Sequence, residues 1–226
     1  MTRVALIPAR GGSKRLPRKN TIDFLGKPII SYTIEAALAS HLFDRVIVST
    51  EDDTIAEIAA QYHAEVNRRP ENLATDQSTV VDVCVDFLSK ESKLNHPITT
   101  LVVLYATAPM RTVEDIKAVV ALLSDKCDFA LAVTPFSWPV HQVLKFNDGR
   151  VEPLFPDLVD FKSSEVESCC VDNGSTYAVH VPAFLKQKTF YGNNLQAYMM
   201  PATRSVDIDT PEDLELALYR ADRILA

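Results

Sequence analysis

Short apolar runs set the frame for this sequence: residues 4–7 and 100–104 are continuous apolar runs apart from the leading Thr100, while 45–49 is a short β-branched segment and 129–134 another strand-like one. A strand with one wet face alternates apolar and polar side chains, so a continuous run belongs to a strand covered on both faces. Between and after these runs, apolar residues return at helical spacing: Ile30, Ile34, Ala37 and Leu38; Ile55, Ile58, Ala59 and Tyr62; Val80, Val83, Cys84, Phe87 and Leu88; Ile116, Val119, Val120 and Leu123. This β-α rhythm predicts an α/β fold: three layers, a mainly parallel sheet, helices on both faces and right-handed crossovers. With 226 residues, 47% of them hydrophobic, one domain is expected.

The first run ends in Pro8-Ala9-Arg10-Gly11-Gly12-Ser13-Lys14-Arg15-Leu16-Pro17-Arg18-Lys19-Asn20. Five cations crowd this loop in a chain of formal net charge -7. Open α/β sheets bind ligands beyond the carboxyl ends of their strands. The glycine pair permits a sharp turn and close approach, and Ser13 and the free amides can donate to phosphate oxygens. A solvated basic turn is the plain alternative. The loop has neither the Walker A spacing nor G-x-G-x-x-G.

An acidic balance with no basic stripe outside this loop argues against nucleic acid as a partner. Cys84, Cys127, Cys169 and Cys170 lack C-x-x-C spacing and read as reduced thiols, and the five histidines lack zinc-site spacing. No apolar stretch approaches the ~20 residues needed to span a bilayer, and no signal-peptide core follows Met1. A cytoplasmic, membrane-free protein is expected.

Along the rest of the chain, Pro28 suits a helix first turn, residues 64–66 a short strand, residues 90–96 a polar linker, and Thr112 with Asp115 a capping box. Residues 135–170 break the rhythm with four prolines and a hairpin turning at Asn147-Asp148-Gly149, and so read as an insert. Its Phe136, Trp138, Phe155 and Phe161 fit either a satellite core or an interface. Residues 176–181 and 205–209 read as the last strands, before a helix starting near Pro211. On such a strand Asp207 and Asp209 project to one side while Ile208 packs inward, a pair suited to Mg²⁺. Helix capping by Asp209 or Thr210 is the competing account. Arg69 reads equally as a surface arginine, and Thr107 and Arg111 as a helix start.

The run I-P-A-R-G-G-S-K-R-L-P-R-K-N closely resembles the signature of the acylneuraminate (CMP-sialic acid) cytidylyltransferase family. The resemblance implies a nucleotide-diphospho-sugar transferase type of fold and transfer of CMP from CTP to a nonulosonic acid. Pro8, Ala9, Arg10, Gly11, Gly12, Ser13, Lys19, Asn20 and Arg69 would hold CTP. Tyr105, Thr107, Gln142, Asn173 and Tyr177 would hold the sugar. Asp207 and Asp209 would bind Mg²⁺ and, with Arg10 and Lys19, act in catalysis. Residues 135–170 would form a homodimer contact over the partner's site. Similar sialic acid synthetases carry arginines where Val171 and, approximately, Ser163 stand here. Residues 136–140, 144–146 and 172–174 instead resemble the pseudaminic acid branch, although that branch usually has histidine at the place of Val171. Legionaminic, sialic and 8-amino-octulosonic acids stay open as substrates, as do a metal-dependent glycosyltransferase and a non-catalytic CTP-binding module.

Overall fold

The computed structural model describes residues 2–94 and 97–225. In chain order the elements are β1 (Arg3–Pro8), a short hairpin of β2 (Asp23–Phe24) and β3 (Lys27–Pro28), α1 (Ile29–Ala39), β4 (Arg45–Thr50), α2 (Asp53–Gln61), β5 (Glu65–Arg68), α3 (Val80–Lys93), β6 (Thr100–Leu104), α4 (Val113–Ala121), β7 (Phe129–Pro135), the hairpin β8 (Leu144–Asn147) and β9 (Arg150–Pro153), β10 (Cys170–His180), α5 (Val181–Gln187), β11 (Leu195–Met199) and α6 (Pro211–Leu225). The main sheet runs β11-β7-β10-β6-β1-β4-β5, parallel except for β10.

Successive residues of β1 feed opposite cores, as a doubly covered strand must. Ala5 and Ile7 join Ile30, Ile34, Ile116 and Val119 on the face of α1 and α4, while Val4 and Leu6 join Phe87, Phe129 and Phe184 on the other. From β1 the chain moves outward to β4 and β5, then returns to lay β6 on the other side of β1. That reversal opens a crevice beyond the carboxyl ends of β1 and β6. A third, small core lies beside it: Leu16 from the opening loop, Phe24, Ile29, Val206, Ile208 and Ala217. The basic loop and both aspartates are therefore anchored by one cluster.

Several sequence expectations are corrected. Residues 205–209 form no strand; the segment is irregular and is tied by Ile208 N donating to Thr107 O at 3.0 Å. The sheet edge is instead β11 (Leu-Gln-Ala-Tyr-Met), which lacks β-branched residues and so carries little strand signal. Of the expected linker, residues 90–93 continue α3, where Glu91 is buried and accepts from Arg45 at 2.6 Å; residues 95 and 96 lie outside the described residues. Pro28 is the N-cap of α1 and stands one residue before its first turn. β10 begins at Cys170, well before residue 176, with an irregularity between Asp172 and Tyr177. α5, opened by Pro182, was not foreseen.

The insert hairpin forms as expected, Asp148 and Gly149 both having positive φ (46° and 79°), the signature of a type I′ turn. Phe136, Trp138, Phe155 and Phe161 are each more than a third exposed, Trp138 at 77%, so within one chain they build no satellite core. All four cysteines are free thiols. No helix among the described residues is long and apolar enough to cross a membrane.

Candidate active site

The opening loop is fixed by its own chain. Leu16 is buried, the Asn20 side chain donates to Arg10 O at 2.9 Å, and Ala9 N donates to Ser49 O at 3.0 Å. Gly11 N donates to Glu51 Oε1 at 2.7 Å, and Arg69 Nε donates to Glu51 Oε2 at 2.9 Å, so Glu51 clamps the loop to Arg69. A Cβ on Gly11 would lie 2.5 Å from the Asp52 carboxylate, which caps α2 through Ile55 N. Glycine is thus required at 11 for close approach. Gly12 sits in open space, and neither residue needs the left-handed region, so the expected glycine turn is a packing device at one position only.

Four of the loop's five cations meet two carboxylates. Arg10 and Lys14 reach Asp76 at 2.8 and 2.5 Å; Arg15 reaches Asp209 at 2.5 Å, and Lys19 bonds the same group. Lys14 first, then Arg10, hold the Asp76 carboxyl below its ordinary value. Burial pushes Asp209 up, but the Lys19 and Arg15 cations outweigh it and leave the group depressed. Asp207 is open to solvent through a cavity yet surrounded by protein. Lost hydration raises its carboxyl, against a 2.6 Å hydrogen bond from Thr107 Oγ1 to its Oδ1.

The capping alternative goes to Thr210, whose Oγ1 accepts from Asp213 N at 3.2 Å while Asp213 receives Thr210 N at 2.9 Å. Neither aspartate is needed to cap α6. Asp207 Oδ2 accepts no hydrogen bond among the described residues. Gly174, at φ +64°, keeps space beside it: a Cβ there would lie 2.6 Å from that oxygen. Among the described residues no group of three His, Cys, Asp or Glu side chains converges on a metal position. Two carboxylates still suit Mg²⁺, which keeps waters and phosphate oxygens as its other ligands.

Two cavities meet at Tyr105. One, of about 250 Å³, is lined by Pro8, Arg10, Lys19, Asn20, Arg69, Asp76 and Thr107 among others. The second, of about 480 Å³, is lined by Val171, Asp172, Asn173, Tyr177, Tyr191 and Asp207 among others. The Thr107–Asp207 hydrogen bond is their seam. Ala9, Gly11, Gly12 and Ser13 are not among the lining residues, because the loop wall is formed by Arg10, Lys19 and Asn20. Asn173 does line the second cavity, but its amide is committed to the chain, donating to Ser205 Oγ and Met200 Sδ and accepting from Ser175.

Gln142 lies exposed in the insert and reaches neither cavity of its own chain. Arg111 is buried as a structural tie, donating to Ser175 O at 2.6 Å and to Thr33 Oγ1 at 2.7 Å; desolvation lowers it to about 9, so it stays cationic at neutral pH. Glu51, Asp76, Asp172 and Tyr191 were missed from sequence. Glu51, Asp76 and Tyr191 meet partners 18 or more residues away, and Asp172 joins Tyr191 as well as its near neighbours Gly174 and Tyr177, which no spacing rule finds.

Solved structures share this architecture at low identity. CMP:2-keto-3-deoxy-manno-octonic acid synthetase, determined with CTP, superposes with a TM-score of 0.73 over 99% of this chain and 100% of that one at 18% identity. A 4-diphosphocytidyl-2C-methyl-D-erythritol synthase from Anaerococcus prevotii gives 0.66 at 15% identity, over 98% and 99%. The fold is thus of the nucleotide-diphospho-sugar transferase type. The cytidylyltransferase family model matches residues 4–218, and the chain belongs to that family of enzymes. Its relatives include the pseudaminic acid cytidylyltransferase of Campylobacter jejuni, 34% identical over 98% of both chains. The CMP-N,N'-diacetyllegionaminic acid synthase of Legionella pneumophila is 35% identical over 94% of this chain and 93% of its own. The N-acylneuraminate cytidylyltransferase of Escherichia coli is 33% identical over 95% of this chain and 51% of its own.

Proposed function

We propose that this enzyme transfers CMP from CTP to a nonulosonic acid, releasing pyrophosphate, with pseudaminic acid the favoured acceptor. The observation that carries this reading is the pair of cavities joined at Tyr105 and at the Thr107–Asp207 seam, one cationic and one without a basic residue on its described walls. CTP belongs in the cationic one. Arg10 offers a planar fork to phosphate oxygens and Lys19 a compact charge, and Asn20 holds the loop that carries them. Arg69 is buried at the wall, held by Glu51 Oε2 at 2.9 Å from its Nη2, and a guanidinium fixed in this way suits recognition of the base.

The sugar lies in the second cavity, where its anomeric hydroxyl attacks the α-phosphorus in line while the bond to the leaving pyrophosphate breaks. Asp207 and Asp209 would hold Mg²⁺, whose chemistry when bound is to neutralise phosphate charge and lower the pKa of a coordinated hydroxyl. Arg15 and Lys19, which pair with Asp209 here, would then be available to phosphate oxygens. Arg10 and Lys19 orient the triphosphate and oppose the charge that builds on the leaving group. Val171 in place of a basic residue, at the mouth of the sugar cavity and 39% exposed, favours an acceptor with apolar substituents.

The reading extends to a homodimer in which the insert of one copy covers the site of the other. Trp138 and Phe146, 77% and 71% exposed, supply the apolar contact, and Gln142 would reach the partner's sugar. Pyrophosphate release is the test, measured for each nucleotide with pseudaminic, legionaminic, N-acetylneuraminic and octulosonic acids. The reading expects turnover only with CTP, a divalent cation and a sugar acid together, and the highest kcat/KM for pseudaminic acid. Nucleotide binding without turnover would identify a binding module instead, and sugar transfer from a nucleotide sugar would identify a glycosyltransferase. Light scattering of Trp138→Glu checks the dimer: a shift to monomer is expected, and an unchanged mass would reject the insert as the contact.

A further inference from the structure

The second cavity contains a carboxylate that the reaction above does not use. Asp172 opens the irregular part of β10, and its side chain faces the cavity from the wall opposite no basic residue, since none lines this space among the described residues. A half-buried carboxylate usually finds a cation. Asp172 has only neutral donors: Gly174 N to Oδ1 at 2.9 Å, Tyr177 OH to Oδ2 at 2.8 Å, and Tyr191 OH to the same oxygen.

The two tyrosines differ. Tyr177 is buried between Tyr105 and Phe190, ring centroids 5.3 and 5.0 Å away, so its bond to Asp172 is part of the packing. Tyr191 is 62% exposed, and its hydroxyl returns to water at little cost when another donor arrives. Its turn is held by Gly192, where a Cβ would lie 2.3 Å from the Phe129 ring. Burial pushes the Tyr191 phenol up to about 12 and Tyr177 higher still, so both remain donors and Asp172 the acceptor.

We propose that Asp172 determines sugar specificity by accepting a hydrogen bond from an acylamido N–H of the acceptor in place of the Tyr191 hydroxyl, with the acyl methyl against Tyr105 and Val171. This rests on the reading that the acceptor is a nonulosonic acid. An amide nitrogen only donates, which matches a lone carboxylate, and its acyl methyl matches the apolar wall beside it. The same charge turns the sugar's own carboxylate away from this wall.

The test compares a matched pair of nonulosonic acids that differ only in carrying an acylamido group or a hydroxyl at one carbon. Asp172→Asn should lower kcat/KM for the acylamido sugar about tenfold or more, mainly through KM, and change the hydroxyl sugar less than about threefold, with the KM for CTP unmoved. Tyr191→Phe, which removes the competing donor, should lower the KM of the acylamido sugar about twofold to threefold. Equal losses on both sugars for Asp172→Asn, or an unchanged or raised KM in Tyr191→Phe, would overturn the proposal. Wild-type enzyme that turns over neither sugar would bring down the function reading and this inference together, whereas turnover with unmoved selectivity would bring down the inference alone.

Discussion

The two cavities share a wall and differ in charge. Arg10, Lys19 and Arg69 line the first; tyrosines, small polar groups and the carboxylates Asp172 and Asp207 line the second. In the first, Asp76 pairs with Arg10 and Asp209 with Lys19, and on the proposed reading a triphosphate would take the place of these carboxylates. The second suits a ligand recognised by its donors and apolar groups. Asp207 stands between them, with one oxygen tied to Thr107 and the other left clear by Gly174. The contrast teaches how one crevice can offer two chemistries: on the proposed reading, charge would decide what each cavity binds and the seam where they react.

The largest effect is expected at that seam. Asp207→Asn and Asp209→Asn should each lower kcat at least about a hundredfold, ~2.7 kcal/mol of transition-state stabilisation, while melting stays within a few degrees of wild type. Near-normal turnover in saturating Mg²⁺ would make the residue a bystander. Chelation by excess EDTA should abolish turnover of wild type to the same extent, and full activity in EDTA would remove the metal from the mechanism.

A smaller effect should separate the loop cations. Arg10→Ala should cost about tenfold in kcat/KM for CTP, ~1.4 kcal/mol, and Arg18→Ala little, because Arg18 points to Thr54 Oγ1 at 3.1 Å and does not line the cavity. Equal losses would make the loop a diffuse charge patch. Gly11→Ala should destabilise the fold by about 1–3 kcal/mol through its clash with Asp52, and a denaturant melt as stable as wild type would contradict the close approach.

The smallest effect belongs to Asp76, whose pairing with Arg10 and Lys14 is exposed and screened by salt. Asp76→Asn removes a competing anion and should tighten pyrophosphate binding about twofold to fivefold at low ionic strength, fading at high salt. Calorimetry showing weaker binding would mean that Asp76 instead shapes the loop.

Much of this was legible before any coordinates. The continuous runs at 4–7 and 100–104 predicted buried strands and the segments at 45–49 and 129–134 two more strands, and β1, β6, β4 and β7 are those strands. Arg10, Lys19, Asn20, Arg69, Tyr105 and Thr107 were named from the opening loop, the strand ends and the family signature, and one cavity gathers them all. The failures have physical causes. Residues 205–209 alternate like a strand but cross the sheet's carboxyl end, where no ladder partner is open to them. β11 is an edge strand, and edges tolerate residues that interior strands do not. Asn173 lines the second cavity as expected, but nothing in sequence shows that Ser205 and Met200 also engage its amide. Asp172 and Tyr191 were missed because their pairing closes over 19 residues, across the rest of β10, α5 and the loop after it.

Phosphorus NMR of an equimolar mixture of CTP, pseudaminic acid and Mg²⁺ with catalytic enzyme addresses the division of labour between the cavities most directly. The account predicts that the triphosphate resonances give way to equal amounts of pyrophosphate and a new CMP-sugar phosphodiester, and that omitting the sugar leaves CTP intact. Hydrolysis of CTP without the phosphodiester, or no change over many equivalents of enzyme, would contradict it.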